Sequence, residues 1–288
     1  MGIIDCKSLA SSIKQKVKEE ISTFKSEPSL YIFTFKLNAA SSVYVQNKVK
    51  ACTEAGINCV VNEFPFPVNQ NDVNAFLKAL YFTAWSVIPT AVIVQKPLPE
   101  LIEKSHWSSL ILPMMDVDGL TDDNIAKLYK KDPEAFIPAT TKGVIEVLKN
   151  QHPMDYYAGK NCVVIGRSEL VGKPTALVCL DQFNMTTTVC HSHTPNLREY
   201  TRNADVLISA VGKPMLVTPD MVKPGAVVLD VGISRLDGKL WGDVCTQGVS
   251  KIADVTTVPG GMGLMTVACL LQNIVQAYKS NEEEPCLI

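Results

Sequence analysis

The sequence predicts an α/β protein of two domains, and three observations carry the prediction. Short apolar strands alternate with amphipathic helices through the first half, as in a parallel sheet covered on both faces. The alternation halts near residues 138–143 and then restarts. Finally, 288 residues that are 47% hydrophobic and 19% charged suffice for one large core or two ordinary ones.

Taken in order, LASSIKQKVKEEISTF places Leu9, Ile13, Val17 and Ile21 at helical spacing, and SLYIFTF follows as a buried strand. SSVYVQNKVKACTEAG reads as a helix stopped at Gly56, INCVVNEF as a strand, QNDVNAFLKALYF as a helix with Asn or Asp near its start, and TAVIVQ as a strand. After PEAFIPATTKGVIEVLKN come the strand NCVVIG, the helix VGKPTALVCLDQF, the strands MTTTVCH, DVLISAVG and GAVVLDVG, and a last apolar helix LMTVACLLQNIVQAY. The tail KSNEEEPCLI is expected to fray.

Composition narrows the partners. A net charge of −2 and a pI near 6.1 argue against a broad nucleic-acid surface. The nine cysteines include no CxxC and mostly sit in apolar runs, so they read as buried thiols of a reducing compartment, with no metal site. No stretch reaches the length of a membrane span, and both lipidation patterns fail on spacing; a cytoplasmic location is expected.

The stretch VVIGRSELVGKPTALVCL resembles two phosphate-binding patterns. A P-loop needs four residues between its glycines and a hydroxyl after the lysine; here Gly166 and Gly172 enclose five, and Pro174 follows Lys173, so the magnesium ligand is missing. A dinucleotide turn needs strand, glycine turn and helix N-terminus, all present, although the middle glycine is not. A tight turn without a ligand is the bland alternative. Arg167 and Ser168 in the turn, with His191 and Ser192 after the next strand and no acid among them, suit a 2′-phosphate and hence NADP over NAD.

Three more positions stand out. Tyr44 and Lys48 share one helix face as Y-x-x-x-K, either a reactive pair or solvated helix residues. Gln95 ends a buried strand, the edge where open α/β sheets place ligands. Asp116 and Asp118 precede Gly119 without the remaining ligands of a calcium loop.

With SSVYVQNKVKAC, VIVQKPLP, MDVDG, PATTKG, VVIGRSELVGKP, TTTVCHSHT, ADVLISAVGKP, GAVVLDVGIS, GDV and TTVPGGMGLMT in one order across nearly the whole chain, the sequence resembles the bifunctional methylenetetrahydrofolate dehydrogenase/cyclohydrolase family of FolD type. The resemblance implies a folate domain over 1–139 completed by the C-terminal helix 264–288, a Rossmann-like NADP domain over 140–263, a cleft between them, and a homodimer through the NADP domains. It implies oxidation of 5,10-methylenetetrahydrofolate with NADP+ and hydrolysis of the methenyl product to 10-formyltetrahydrofolate, in one-carbon metabolism that feeds purine biosynthesis. Lys48 then matches the general acid/base, Gln95 its support through a hydrogen bond to the ammonium, Tyr44 the ring stacked on folate, and Asp118 the grip on the pterin. Pro259, Gly260 and Gly261 match further folate contacts, and Thr140, Gly166, Arg167, Ser168, Gly172, His191, Ser192, Gly212, Gly232 and Ile233 match cofactor contacts.

The chain departs from the family pattern at Lys36, Leu37, Lys96, Met115, Ala139, Thr141, Thr257 and Leu264. Lys96 adds a charge beside Gln95, expected either to repel the Lys48 ammonium or to meet the acidic tail of a folate. Two alternatives stay open at this level: a relative retaining only the dehydrogenase, and a non-catalytic paralogue that binds folate or NADP.

Overall fold

A computed structural model describes residues 1–37, 39–87 and 90–283, without the side chains of 39–42 and 283. The chain runs through β1 (Gly2–Ile3), α1 (Cys6–Ile21), β2 (Ser29–Phe35), α2 (Ala39–Ala55), β3 (Asn58–Phe64), α3 (Gln70–Phe82), β4 (Ala91–Val94), α4 (Glu100–Glu103) and α5 (Asp122–Tyr129). It continues with α6 (Ala139–Gln151), β5 (Asn161–Ile165), α7 (Gly172–Asp181), β6 (Thr186–Cys190), α8 (Leu197–Thr201), β7 (Val206–Ser209) and β8 (Val227–Asp230). The hairpin β9 (Ser234–Leu236) and β10 (Lys239–Trp241), then α9 (Thr246–Val249), β11 (Asp254–Val255) and α10 (Met262–Glu283), complete it. Two compact units result, one of residues 1–11 with 138–269, the other of 12–137 with 270–288.

In the unit built on residues 12–137, three parallel strands pair in the order β3-β2-β4. β4 is buried at every position and β2 at most, which explains why they read as continuous apolar runs. Phe33 and Phe35 of β2 and Phe64 of β3 surround Phe76 of α3, with centroids 5.4 to 6.0 Å from its ring. That spacing suits edge-on and tilted aromatic contacts. α3 begins at a reciprocal cap: Asn69 Oδ1 accepts from the Asn71 and Asp72 amides at 2.8 and 3.2 Å, and Asp72 Oδ2 accepts from the Asn69 amide at 2.9 Å.

In the other unit six strands pair in parallel in the order β1-β11-β8-β7-β5-β6. Chain order places β6 on one side of β5 and β7 on the other, so the direction of winding reverses at the carboxyl ends of β5 and β7. Open α/β sheets bind ligands at such a point. The core below it is aliphatic, with Val163, Ile165, Leu207, Val228 and Val255 in one cluster.

Several elements differ from the sequence reading. β1, β11 and the hairpin were not expected. The hairpin turns on Asp237 and Gly238, both at positive φ (51° and 74°), the conformation a two-residue type I′ turn requires. α10 is longer than the apolar run suggested and persists to Glu283, so the first part of the tail is helical; residues 284–288 lie outside the described residues.

Candidate functional site

In the three-stranded unit the reactive candidates converge on the region beyond β4. Lys48, on α2, is only 8% exposed, an unusual state for a lysine. Tyr44, one turn earlier, is 37% exposed. Asp116 forms a parallel bridge with Val92 of β4 and accepts from the Thr121 amide at 2.7 Å and Asn124 Nδ2 at 3.0 Å. Asp116 thus builds the turn, and Asp118, two residues on, is also buried. Burial raises the Asp118 pKa above the ordinary carboxylate value, the nearby Lys48 charge pulls it back, and Asp116 pushes it up further. Lys48 and Asp118 are therefore within electrostatic reach of one another.

Gln95 differs from expectation. Its backbone N–H extends the ladder to Phe33 O at 2.8 Å, while its side-chain Nε2 donates to Lys96 O at 2.7 Å, and Oε1 is buried without a hydrogen-bond partner. The expected bond from the Lys48 ammonium to Gln95 is not made here, since Oε1, the atom that would accept it, has no partner. The orphaned acceptor remains available for an incoming donor.

The departures from the family pattern find local partners. Lys96 Nζ pairs with Glu103 at 2.7 Å, and Lys36 Nζ with Glu63 at 3.3 Å. Met115 is fully buried and Leu37 packs on the same core cluster.

In the six-stranded unit the candidates follow the carboxyl ends of the strands. Gly166 comes directly after β5 at φ 119°, and a Cβ there would lie 2.7 Å from Ala210 O. A Cβ on Gly172, the first residue of α7, would lie 2.4 Å from Gly166 O, and its N–H reaches Ser168 Oγ at 3.2 Å. Only glycine lets strand, turn and helix N-terminus close this tightly. Arg167 and Ser168 are exposed on that turn.

After β6, the His191 amide donates to Thr194 Oγ1 at 2.9 Å and His191 Nδ1 accepts from the His193 amide at 3.2 Å, with Ser192 exposed between them. Gly212 (φ 65°) follows β7, while Gly232 and Ile233 follow β8. Thr140 Oγ1 lies 3.2 Å from Thr266 Oγ1, and the departure Thr141 is fully buried with its hydroxyl 3.0 Å from that of Thr175 on α7. Ala139, another departure, is buried at the start of α6. Thr257 donates to Pro259 O at 3.0 Å, Gly260 stands at φ 97°, a Cβ on Gly261 would lie 2.2 Å from Thr257 O, and Leu264 is half-buried in α10.

Two acids escaped the sequence reading as site residues. Asp230 and Asp243 are fully buried at the same sheet edge. Their signal in the sequence was an acid closing an apolar run in VVLDVG and again in LWGDV.

A parallel sheet with a glycine-closed turn at its reversal point, Arg167 and Ser168 on that turn, and no carboxylate among residues 190–194 after the next strand defines an NAD(P)-binding α/β protein, here with a second unit carrying a buried lysine within reach of an acid. The turn fits a dinucleotide phosphate through its order of strand, glycine turn and helix N-terminus, with Arg167 and Ser168 exposed on it. Residues 4–118 match the catalytic-domain profile of tetrahydrofolate dehydrogenase/cyclohydrolase, and residues 138–282 match its NAD(P)-binding domain. The chain belongs to the tetrahydrofolate dehydrogenase/cyclohydrolase family. It is 41% identical to the bifunctional protein FolD of Hydrogenobaculum sp. (strain Y04AAS1) over 281 residues, covering 97% of this chain and 99% of that protein. Its structure is similar to that of the bifunctional FolD methylenetetrahydrofolate dehydrogenase/cyclohydrolase from Campylobacter jejuni (TM-score 0.89, 39% identity, 97% and 99% covered). A further likeness is to the Trypanosoma brucei enzyme complexed with NADP cofactor and inhibitor (TM-score 0.89, 31% identity, 97% and 98% covered).

Proposed function

We propose that this chain oxidises 5,10-methylenetetrahydrofolate with NADP+ and hydrolyses the 5,10-methenyl product to 10-formyltetrahydrofolate, with Lys48 moving the protons of the second step. The burial of Lys48 within reach of Asp118, inside the unit that matches the family's catalytic domain, carries this reading. When bound, NADP+ supplies the two-electron acceptor for the first step.

The remaining roles belong to side chains of the chain itself. Asp118, as a carboxylate, accepts from two N–H donors on the pterin edge; burial works against its charged form, which those donors, like the Lys48 charge, favour. Water adds to the methenyl carbon as Lys48 takes its proton; the bond from that carbon to N5 then breaks as Lys48 returns the proton to N5, the second proton of the water passes to solvent, and the carbon stays on N10 as a formyl group. The free acceptor of Gln95 orients a donor in this step, the ammonium or the attacking water. Tyr44 offers a half-exposed ring on which a planar folate stacks. Pro259, Gly260 and Gly261 add backbone contacts to folate. Thr140, Gly166, Arg167, Ser168, Gly172, His191, Ser192, Gly212, Gly232 and Ile233 hold the cofactor, with the guanidinium of Arg167 and the hydroxyls of Ser168 and Ser192 on the 2′-phosphate.

On this reading the unit of residues 12–137 with 270–288 is the folate domain and the unit of residues 1–11 with 138–269 the NADP domain; the first residues, expected in the folate domain as part of 1–139, go instead with the six-stranded sheet because β1 pairs with β11. The product feeds purine biosynthesis in the cytoplasm; among the described residues no helix is long and apolar enough to cross a membrane. A homodimer forms through the six-stranded unit: β6 is an edge strand with Val189 39% exposed, Leu180 of α7 is 52% exposed, and an unpaired edge suits self-complementary pairing.

The test follows reduced cofactor and methenyl cation separately in one vessel containing protein, 5,10-methylenetetrahydrofolate and NADP+, beside Lys48→Met. Reduced cofactor with both proteins, and methenyl accumulation with the variant alone, is the expected result; loss of general acid/base help slows hydrolysis by about 10²- to 10⁴-fold. Binding of folate without cofactor reduction by the parent would refute the enzymatic reading.

A further inference from the structure

Asp230 ends β8 and Asp243 follows β10, both fully buried and neither placed on folate or cofactor above. The Asp243 carboxylate collects three donors: Ser209 Oγ at 2.8 Å, the Val211 amide at 2.9 Å and the Lys213 amide at 2.7 Å. The Asp230 carboxylate collects two, the amides of Asp243 and Val244, each at 2.9 Å. Glycines close the space around both acids. A Cβ on Gly232 would lie 2.1 Å from the Asp243 carboxyl, and one on Gly242 would lie 1.9 Å from Asp230 Oδ2.

The arrangement is a relay. Asp230 fixes the backbone of Asp243, whose side chain fixes the backbone of the loop after β7. That loop touches its neighbours on both sides: Ala210 O stands where a side chain on Gly166 would begin, and Gly212 O accepts from Ser234 Oγ at 2.6 Å. One buried pair therefore shapes the segments after β5, β7 and β8, along the edge where the sheet reverses.

Among the described residues no lysine or arginine forms an ion pair with either acid. Burying a carboxylate without a counter-charge is costly even when neutral donors offset part of the desolvation, and two apolar side chains would fill the same space at less cost. The three donors on Asp243 come from the end of β7 and the loop after it, two on one carboxylate oxygen and one on the other, so both oxygens are used.

We propose that Asp243, braced by Asp230, is a positioning residue for the dinucleotide: it holds Val211–Lys213 in the shape that NADP+ binding requires, without touching substrate. This rests on the reading that the nucleotide lies at this sheet edge. Asn at 243 keeps one acceptor and turns an amide N–H₂ toward backbone donors, so the loop loses its template while the other unit keeps its own contacts.

The experiment compares the parent chain, Asp243→Asn and the milder Ser209→Ala. Four quantities are read: Kd for NADPH by fluorescence titration, KM and kcat of the dehydrogenase, hydrolysis of methenyltetrahydrofolate added directly, and the thermal midpoint. For Asp243→Asn, Kd and KM rise about tenfold to a hundredfold, as expected when charge-assisted hydrogen bonds are lost, while hydrolysis changes less than about twofold. Ser209→Ala moves Kd in the same direction by a few-fold, and decides the matter if Asp243→Asn does not fold. An unchanged Kd in Ser209→Ala and Asp243→Asn, or a parallel fall of both activities, overturns the proposal and leaves the pair as fold stabilisers. A parent that binds NADPH but turns over neither substrate refutes the proposed reaction, and the Kd comparison still decides the role of Asp243. A parent that binds no dinucleotide refutes both.

Discussion

Replacing Asn273 with alanine isolates what the last helix contributes to the turn that carries Asp118. Asn273 is fully buried on α10, and its Nδ2 donates to Val117 O and Ile137 O, both at 2.8 Å. One side chain thus satisfies two carbonyls from separate segments. Its removal forfeits two bonds worth about 1 kcal/mol each and leaves two buried acceptors whose desolvation costs about 1–3 kcal/mol apiece, partly recovered if water enters, so the net loss is about 2–4 kcal/mol. Val117 lies between the two acids, and since Asp116 keeps its own bonds to Thr121 and Asn124, the displacement falls on Asp118. Equilibrium urea unfolding followed by tryptophan fluorescence measures the loss, because Trp85 and Trp107 both lie in this unit. The same variant should raise KM for the folate while the Kd for NADPH stays put. A loss under about 0.5 kcal/mol, the range of ordinary surface substitutions, with an unchanged folate KM, would show that water replaces the amide and that the helix does not position the acid.

Further outcomes follow from the electrostatics and the buried hydroxyls. Burial raises the Asp230 pKa from 3.8 to about 7, against the Val244 and Asp243 amides that favour its charged form. A pKa raised on folding contributes stability that is complete below the unfolded value and is lost as pH rises through the folded one, so the non-titrating Asp230→Asn should gain about 2–3 kcal/mol on the parent between about pH 5 and 7.5; a gap that stays constant in urea unfolding at the two pH values refutes the assignment. Lys96→Leu should leave the acidic limb of the activity–pH profile within about 0.3 unit, because Glu103 already offsets the ammonium at 2.7 Å; a larger displacement would mean that the Lys96 charge reaches the reacting groups. Thr175→Val strands the buried Thr141 hydroxyl and should cost about 1–2 kcal/mol, part of which returns in the Thr141→Val/Thr175→Val double variant; strict additivity in that cycle would show the 3.0 Å contact to be energetically idle.

What the sequence disclosed follows from how far each signal reaches along the chain. The cap and apolar face of α3 lie within one window, and the sequence pattern spans the whole helix, Gln70–Phe82. The strand, glycine turn and helix of Val163–Leu180 are equally local. β1 pairs with β11, more than 250 residues away, and two residues carry no period that could announce it. The hairpin did carry an Asp-Gly signal, but its three-residue arms were too short to show alternation. Asp230 and Asp243 were invisible as a pair because their partners are mostly backbone amides, which carry no residue signature. Gln95 illustrates a different limit: its position at the strand end was legible, whereas the direction of its amide depended on a carbonyl one residue on.

The path of the chain through its two units has a consequence for synthesis. Residues 1–11 belong with 138–269, and residues 12–137 with 270–288, so neither unit is made in one uninterrupted stretch. The carbonyl of Ile137 waits for Asn273, 136 residues later, which at ribosomal speed is about ten to thirty seconds. During that interval the turn beside Asp118 exists without its helix, and β11 is still to come for a β1 already made. A cut between residues 137 and 138 would therefore yield two fragments that each lack a piece carried by the other, and they should regain structure only when mixed.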